Sequence, residues 1–285
     1  MKIEKIDKNS DLYPYKLRNI KNSPAVIYTL GDISLLSSKS IAVVGARECT
    51  NYGAHIAKLI GERLAELNIT VVSGMAKGID SYSHKGALYN CGKTIAVLGC
   101  GLGHCYPAEN KELMKQISKE GLLISEYKPE FTGAKYSFPQ RNRIISGISE
   151  SVVVVEAEYK SGSLITAGYG AEQGKYVYAV PGNIDRKSSL GTNMLIRDGA
   201  TPLVVIDDLA RDIGITPKIK PELISNLGKD EMLIIEAIMS KNEADIDYIS
   251  HKTNIHTGKA NGILTILMIK GLVFSIGSKF FIANY

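Results

Sequence analysis

Between residues 41 and 205 the chain alternates short apolar runs with stretches of helical period. The runs are IAVVG (41–45), ITVVSG (69–74), TIAVLG (94–99), LLISE (122–126), SVVVVEA (151–157), YVYAVPG (176–182) and PLVVI (202–206). They are rich in β-branched residues and continuous rather than alternating, so each reads as a strand buried on both faces. Strands of that kind separated by helices of about 10 to 15 residues are the signature of βαβ units. The pattern predicts an α/β domain over 41–215: a Rossmann-like parallel sheet with helices on both faces. Residues 1–40, with YPYKLRNIKNSPAVIYTLG, have little helical period and read as an N-terminal arm. The prolines, glycine and lysines around residues 216–228 suit a linker. Residues 229–285 then give three helical segments, EMLIIEAIM, ADIDYISHKT and KANGILTILMIKG, and a hairpin with Gly277-Ser278 at its turn. That order predicts a small winged-helix-like C-terminal domain.

Composition narrows the class. An apolar content of 45% and a charged content of 22% are those of an ordinary globular protein, and no apolar run approaches the ~20 residues a bilayer requires. The expectation is a protein with no membrane span. The N-terminus mixes both charge signs without an apolar core segment, so a cytoplasmic location is expected. The four cysteines, Cys49, Cys91, Cys100 and Cys105, contain no CxxC, and Cys100, His104 and Cys105 are too cramped for a zinc site. Free thiols and no metal are expected.

The net charge of +5 matters less than its distribution. Residues 128–147 hold Lys128, Lys135, Arg141 and Arg143 against Glu130 alone. Within FPQRNRIISG, Ile144 and Ile145 can turn inward, but Arg141 and Arg143 lie two apart and cannot both follow them into a core. An anion is a natural partner. In an open parallel sheet ligands bind outside the carboxyl ends of the strands. After the first strand come Gly45 and Arg47. After the second come Ser73 and Gly74, with Lys77 opening the next helix. After the fifth come Ser161, Gly162 and Ser163. Small-residue turns at helix N-termini favour phosphate. With KYSFPQRNR beside that rim, Lys135, Arg141 and Arg143 suit phosphates and Tyr136 and Phe138 suit bases, a combination that grips single-stranded nucleic acid. Asn142, between the arginines, belongs to the same candidate set.

Each residue also has a plainer reading. Arg141 or Arg143 can pair with Glu126 or Glu156. Phe138 can be core, and the small residues at 161–163 can be steric. His84, His104 and Asp80 suit hydrogen bonding and capping as well as acid–base work. GxxxxGK[ST], HExxH and GxSxG are all absent, and GCGLGHC has the wrong spacing for a dinucleotide fingerprint. No catalytic residue and no cofactor is expected.

YPYKLRNI, VVSGMAKGIDSYSHKGAL, AVLGCGLGHCYPAEN, LLISEY, FPQRNRIISGIS, VVVVEAEYKSGSLITAGYGAEQGKYVYAVPG and GTNMLIRDGA stand in that order over residues 13–205. In these elements the chain closely resembles the DNA-processing protein A family, DprA or Smf. The resemblance implies a Rossmann-like domain that binds single-stranded DNA without catalysis, usually as a homodimer. It also implies a role in placing the RecA recombinase on incoming DNA during natural transformation. It assigns DNA contacts to Arg47, Ser73, Gly74, Lys135, Phe138, Arg141, Arg143 and the turn at 161–163. Lys77 stands where the family often has arginine, a point charge in place of a planar fork. Some relatives also carry a further N-terminal helical domain, where this chain has about forty residues before its first run.

Two rival readings are open. A nucleotide-processing Rossmann enzyme of the lysine-decarboxylase-like type usually carries PGGxGTxxE. Here SGSLITAGYGAE keeps the acidic Glu172 but lacks the glycine pair. A winged-helix duplex binder needs a basic recognition helix. Residues 229–285 instead balance six lysines against six acidic residues, and KANGILTILMIKG is mostly apolar, which favours a protein contact or support of a dimer.

Overall fold

Side chains leave β3 (Ser40–Val44) alternately to opposite faces, Ile41 and Val43 into one core and Ala42 and Val44 into another. Every residue of the strand is buried, which is why the run is apolar without alternation. The same holds for β4 (Thr70–Ser73), β5 (Thr94–Leu98), β6 (Leu122–Ser125) and β7 (Ser151–Val154). The computed structural model describes residues 2–89, 91–215, 227–241, 243–270 and 272–282, and the chain divides into two units at Thr216/Pro217.

The first unit is built on one nine-stranded sheet. Its order is β1 (Glu4–Asp7), β2 (Val26–Gly31), β6, β5, β4, β3, β7, β8 (Tyr176–Ala179) and β9 (Thr201–Pro202). From β6 to β9 all neighbours are parallel. Helices cover both faces, as the continuous runs require. On one side α1 (Tyr15–Arg18), α5 (Ser137–Ile148) and α6 (Ser163–Glu172) supply Leu17, Ile144, Ile145, Ile148 and Ala167 to the core. On the other side α2 (Asn51–Glu66), α3 (Ile79–Tyr89) and α4 (Lys111–Glu120) supply Ile60, Leu64, Ile79, Ala87, Leu113 and Ile117. The strand order runs outward in one direction from β3 through β6 and in the other from β7 through β9, so the switch point lies between β3 and β7.

Two features differ from the sequence expectation. The segment expected as an arm contributes β1 and β2, which pair antiparallel with each other, and β2 pairs antiparallel with β6. Alternation along Val26–Gly31 is weak because the strand lies near the sheet edge, where one face is only half covered. The run PLVVI gives only Thr201–Pro202 as strand, because Val204 turns outward at the far edge. The chain continues through α7 (Lys187–Arg197) and α8 (Asp208–Arg211). Most of the expected linker, residues 216–226, lies outside the described residues.

The second unit packs α9 (Lys229–Lys241), α10 (Ile246–Thr253) and α11 (Thr257–Ile269) around Ile234, Ile238, Ile249, Leu264 and Leu267. A small sheet completes it, in the order β10 (Ala244–Asp245), β12 (Lys279–Ile282), β11 (Val273–Ile276). The β11–β12 hairpin turns at Gly277-Ser278, with Gly277 at φ +61°, the left-handed backbone that such turns require.

Candidate nucleic-acid interface

The site assembles around α5. Ser137 starts the helix and ties it to the sheet: its hydroxyl donates to the carbonyl of Gly99 after β5 at 2.5 Å and accepts from Ala134 N–H at 3.0 Å. One turn on, the Arg141 guanidinium is 5% exposed, and its Nη1 donates to the carbonyls of Gly74 and Val97. Gly74 has no side chain because the guanidinium occupies that space; a Cβ would lie 2.5 Å from Arg141 Nη1. Asp80, also buried, accepts from Gly74 N–H at 3.1 Å and Ala76 N–H at 3.2 Å. Burial pushes the Asp80 carboxyl up and the Arg141 guanidinium down, and the charge of each acts against the other's shift. Asn142 Nδ2 donates to the carbonyl of Gly162 at 3.1 Å, which fixes the turn before α6 to α5.

Across the switch point stands the loop after β3. Ala46 N–H donates to the carbonyl of Glu156 at 2.8 Å, and Ile79 N–H donates to the carbonyl of Ala46. The Glu156 carboxylate, 3% exposed, accepts from Thr50 N–H at 2.8 Å and Thr50 Oγ1 at 2.6 Å, anchoring the start of α2. Gly45 answers a packing need, since a Cβ there would strike Ile79 and the carbonyl of Glu156. Arg47 itself is exposed.

Between these walls lies a cleft of about 460 Å³ that brings together Arg47, Phe138, Arg141, Asn142 and the turn Ser161-Gly162-Ser163. The turn is internally bonded, Ser161 Oγ to Ser163 Oγ at 2.8 Å. Gly162 is the N-cap of α6 without a side-chain cap, and nothing lies within 4 Å of where its Cβ would be, so a ligand can approach the backbone there. Lys160, exposed at the mouth, adds a cation, while Glu48 and Glu158 line the same opening. A smaller side pocket of about 100 Å³ lies beyond Phe138, between Tyr106, Gly99 and Lys77. The rings of Phe138 and Tyr106 meet at 4.9 Å. Lys77 is exposed and paired with Glu109 at 2.7 Å.

Several expected contacts fall elsewhere. Arg143 points away from the cleft and is 4% exposed; it grips Glu126 through Nη2 at 2.5 Å and Nη1 at 2.9 Å, and donates from Nε to the carbonyl of Asn22. Its position two residues from Arg141 puts it on the opposite side of the helix, where it meets the N-terminal segment. Ser73 is fully buried, its hydroxyl donating to the carbonyl of Val43 at 2.7 Å. Gly74 uses its N–H on Asp80 and its carbonyl on Arg141. Lys135 is exposed ahead of α5 but lines neither pocket. Glu172, the acidic residue of the enzyme reading, lines a separate groove with Arg143 and Lys175. Sequence reasoning missed Lys160 and Tyr106; the position of Lys160 directly before the serine turn was the available signal. It left Asp80 open between capping and acid–base work; in the structure Asp80 braces the loop under Arg141. Among the described residues no group of His, Cys, Asp or Glu is placed to hold a metal ion, and no helix is long and apolar enough to cross a membrane.

Known proteins share this sequence and fold. A model of the family described as DNA recombination-mediator protein A matches residues 4–214. The DNA processing protein DprA of Bacillus subtilis is 40% identical over 212 residues, covering 74% of this chain and 71% of that protein. DprA of Streptococcus pneumoniae is 44% identical over 190 residues, 67% of each chain. The crystal structure of the pneumococcal protein superposes with a TM-score of 0.71 at 40% identity, covering 74% of this chain and 75% of that one. A structure of DNA processing protein A from Helicobacter pylori, described by its single-stranded DNA binding mode, gives a TM-score of 0.68 at 28% identity and covers 75% of this chain and 96% of that one. The match spans the sheet, the switch point and all of α5, and the chain belongs to the DNA recombination-mediator protein A family, the DprA/Smf proteins.

Proposed function

We propose that the protein binds single-stranded DNA in the switch-point cleft without catalysis and acts as a recombination mediator. The observation that carries this reading is the pairing, in one opening, of exposed Arg47 and Lys160 with the Phe138 ring and the uncapped start of α6. Cations and a helix start suit phosphates, and an aromatic ring suits an unstacked base of any sequence. The Helicobacter pylori relative, with its single-strand binding mode, supports the same ligand. In this reading the roles divide. Arg47 and Lys160 meet phosphates, Phe138 meets a base, and Arg141, Asn142, Ser73 and Gly74 hold the walls in place. The strand is thereby presented to the RecA recombinase, by a homodimer of this chain, in recombination and natural transformation.

Anisotropy titrations with single-stranded and duplex oligonucleotides of equal length test it. Single strands of mixed sequence are expected to bind more tightly than duplex. Equal or tighter duplex binding removes the proposal. Recombinase loading is tested by adding the protein to RecA on strands coated with single-strand binding protein, where faster filament growth is expected. Light scattering of the free protein reports the dimer.

A further inference from the structure

The outer face of α3 and α4 carries chemistry that the cleft does not use. Lys111, Lys115 and Lys119 recur at four-residue intervals on α4, which stacks three exposed cations in one row. Like charges at this spacing disfavour a helix, so the row is a feature that a bound anion would relieve. Lys85 of α3 faces it across a groove of about 450 Å³. Glu112 and Glu120 also line that groove, and Glu120 accepts from Gln116 on its own helix at 3.3 Å. Along the α3 side stand two exposed rings: Tyr82, with Lys85 Nζ 5.4 Å from its centroid, and Tyr89, with Lys58 Nζ at 4.9 Å.

Both helices begin at the rim where the strands end. Lys77, just before α3, lines the side pocket with Phe138 and Tyr106. Asn110, the residue before Lys111, donates from Nδ2 to the carbonyls of Met75 at 2.8 Å and Ala76 at 3.3 Å, and Ala76 lines the side pocket. The lysine row therefore starts beside the side pocket and runs away from it for the length of α4, about 15 Å.

We propose that the α3–α4 groove is a second segment of the single-strand path. A strand leaving the cleft past Lys77 lays its phosphates along Lys111, Lys115, Lys119 and Lys85, with its bases toward Tyr82 and Tyr89. The inference rests on the reading of the cleft as the primary strand site, and it extends the footprint from a few nucleotides to a longer strand.

The test compares deoxythymidine strands of about 6 and about 16 nucleotides, the span over which compact single-strand sites vary, with the full chain. A triple variant, Lys85→Gln, Lys115→Gln and Lys119→Gln, changes only exposed side chains. It is expected to bind the short strand as the wild type does. Its affinity for the long strand should fall about tenfold at low salt, with the salt slope reduced by about 2, three lost contacts at ~0.7 each. Arg47→Ala should weaken both lengths. If the triple variant binds the long strand with wild-type affinity and slope while Arg47→Ala still weakens both, the groove is not a strand path and the cleft reading stands. Equal weakening of both lengths marks a general loss of charge and also overturns the groove. If neither length binds the wild-type protein, the cleft reading fails and the groove proposal fails with it.

Discussion

At the scale of single residues, the two arginines of FPQRNR have different surroundings from the exposed Arg47, and the difference is measurable. Arg143 and Glu126 form a bidentate pair with side chains 5% and 19% exposed. Removing one partner of such a pair leaves the other charge partly buried and uncompensated, which costs about 3 to 5 kcal/mol. Arg143→Ala is therefore expected to lower stability by that amount in urea unfolding, while the folded fraction binds single strands with an unchanged salt slope. Arg47→Ala should do the reverse, leaving unfolding unaltered and lowering the slope by ~0.7. A reduced slope for folded Arg143→Ala would return that residue to the phosphate contacts. Phe138 belongs to neither class, because its ring is half-buried against Tyr106 and also lines both pockets. Phe138→Ala should cost about 1 to 3 kcal/mol of strand binding with the slope retained, the range for base stacking. If its affinity loss vanishes after correction for unfolded protein, the ring is core alone.

At the scale of elements, α5 is the part that turns a sheet edge into a site. Ser137 joins it to the loop after β5, Arg141 to the ends of β4 and β5, and Asn142 to the turn before α6. Gly74→Ala would thrust a methyl group into the guanidinium of Arg141, so stability and strand affinity should fall together; loss of neither would mean that Arg141 has room to move. A second element, α3, carries a titratable group unrelated to binding. His84 is fully buried, with Nδ1 2.6 Å from Thr94 Oγ1, and burial lowers its pKa to about 3. Its folded pKa lies below its unfolded value, so between about pH 6.5 and pH 3 the unfolded chain binds the extra proton and stability falls as pH falls. His84→Gln is expected to flatten that decline by an amount on the order of a few kcal/mol; an unchanged pH profile would show that His84 does not contribute to it. The parallel strands were legible in the sequence because burial on both faces leaves an unbroken apolar run. β1 and β2 were not, because the pairing of β2 with β6 and of β1 with β2 depends on edge contacts that leave little mark on a half-covered strand. The partner of Arg143 was narrowed to two glutamates but not chosen, since Glu156 is taken by Thr50 only once β3 and β7 lie side by side. That Arg47 and the serine turn would share one cleft was readable from the rule that ligands gather at strand ends, and Phe138 from the basic and aromatic segment beside that rim. The burial of Arg141 was not, because the carbonyls it meets belong to two other strands.

At the scale of the whole molecule, every residue assigned to the cleft or the side pocket lies in the first unit, which has its own cores on both faces of the sheet. The second unit carries eight lysines against seven acidic residues. Its helix α11 is committed to packing through Ala260, Leu264 and Leu267, while Ile266 and Ile269 stand exposed. A surface of that kind gives little electrostatic attraction to a phosphate backbone and suits an apolar contact with protein. A chain ending at residue 216 should therefore fold and bind single strands within about threefold of the full-length affinity, with the same salt slope, since the phosphate contacts that set the slope are all retained. Thermal unfolding checks the fold and a salt titration checks the contacts. A folded truncation that has lost most of its affinity would place strand contacts in the second unit. A truncation that keeps its affinity but changes its mass in light scattering would instead assign that unit to assembly, the role its exposed isoleucines favour.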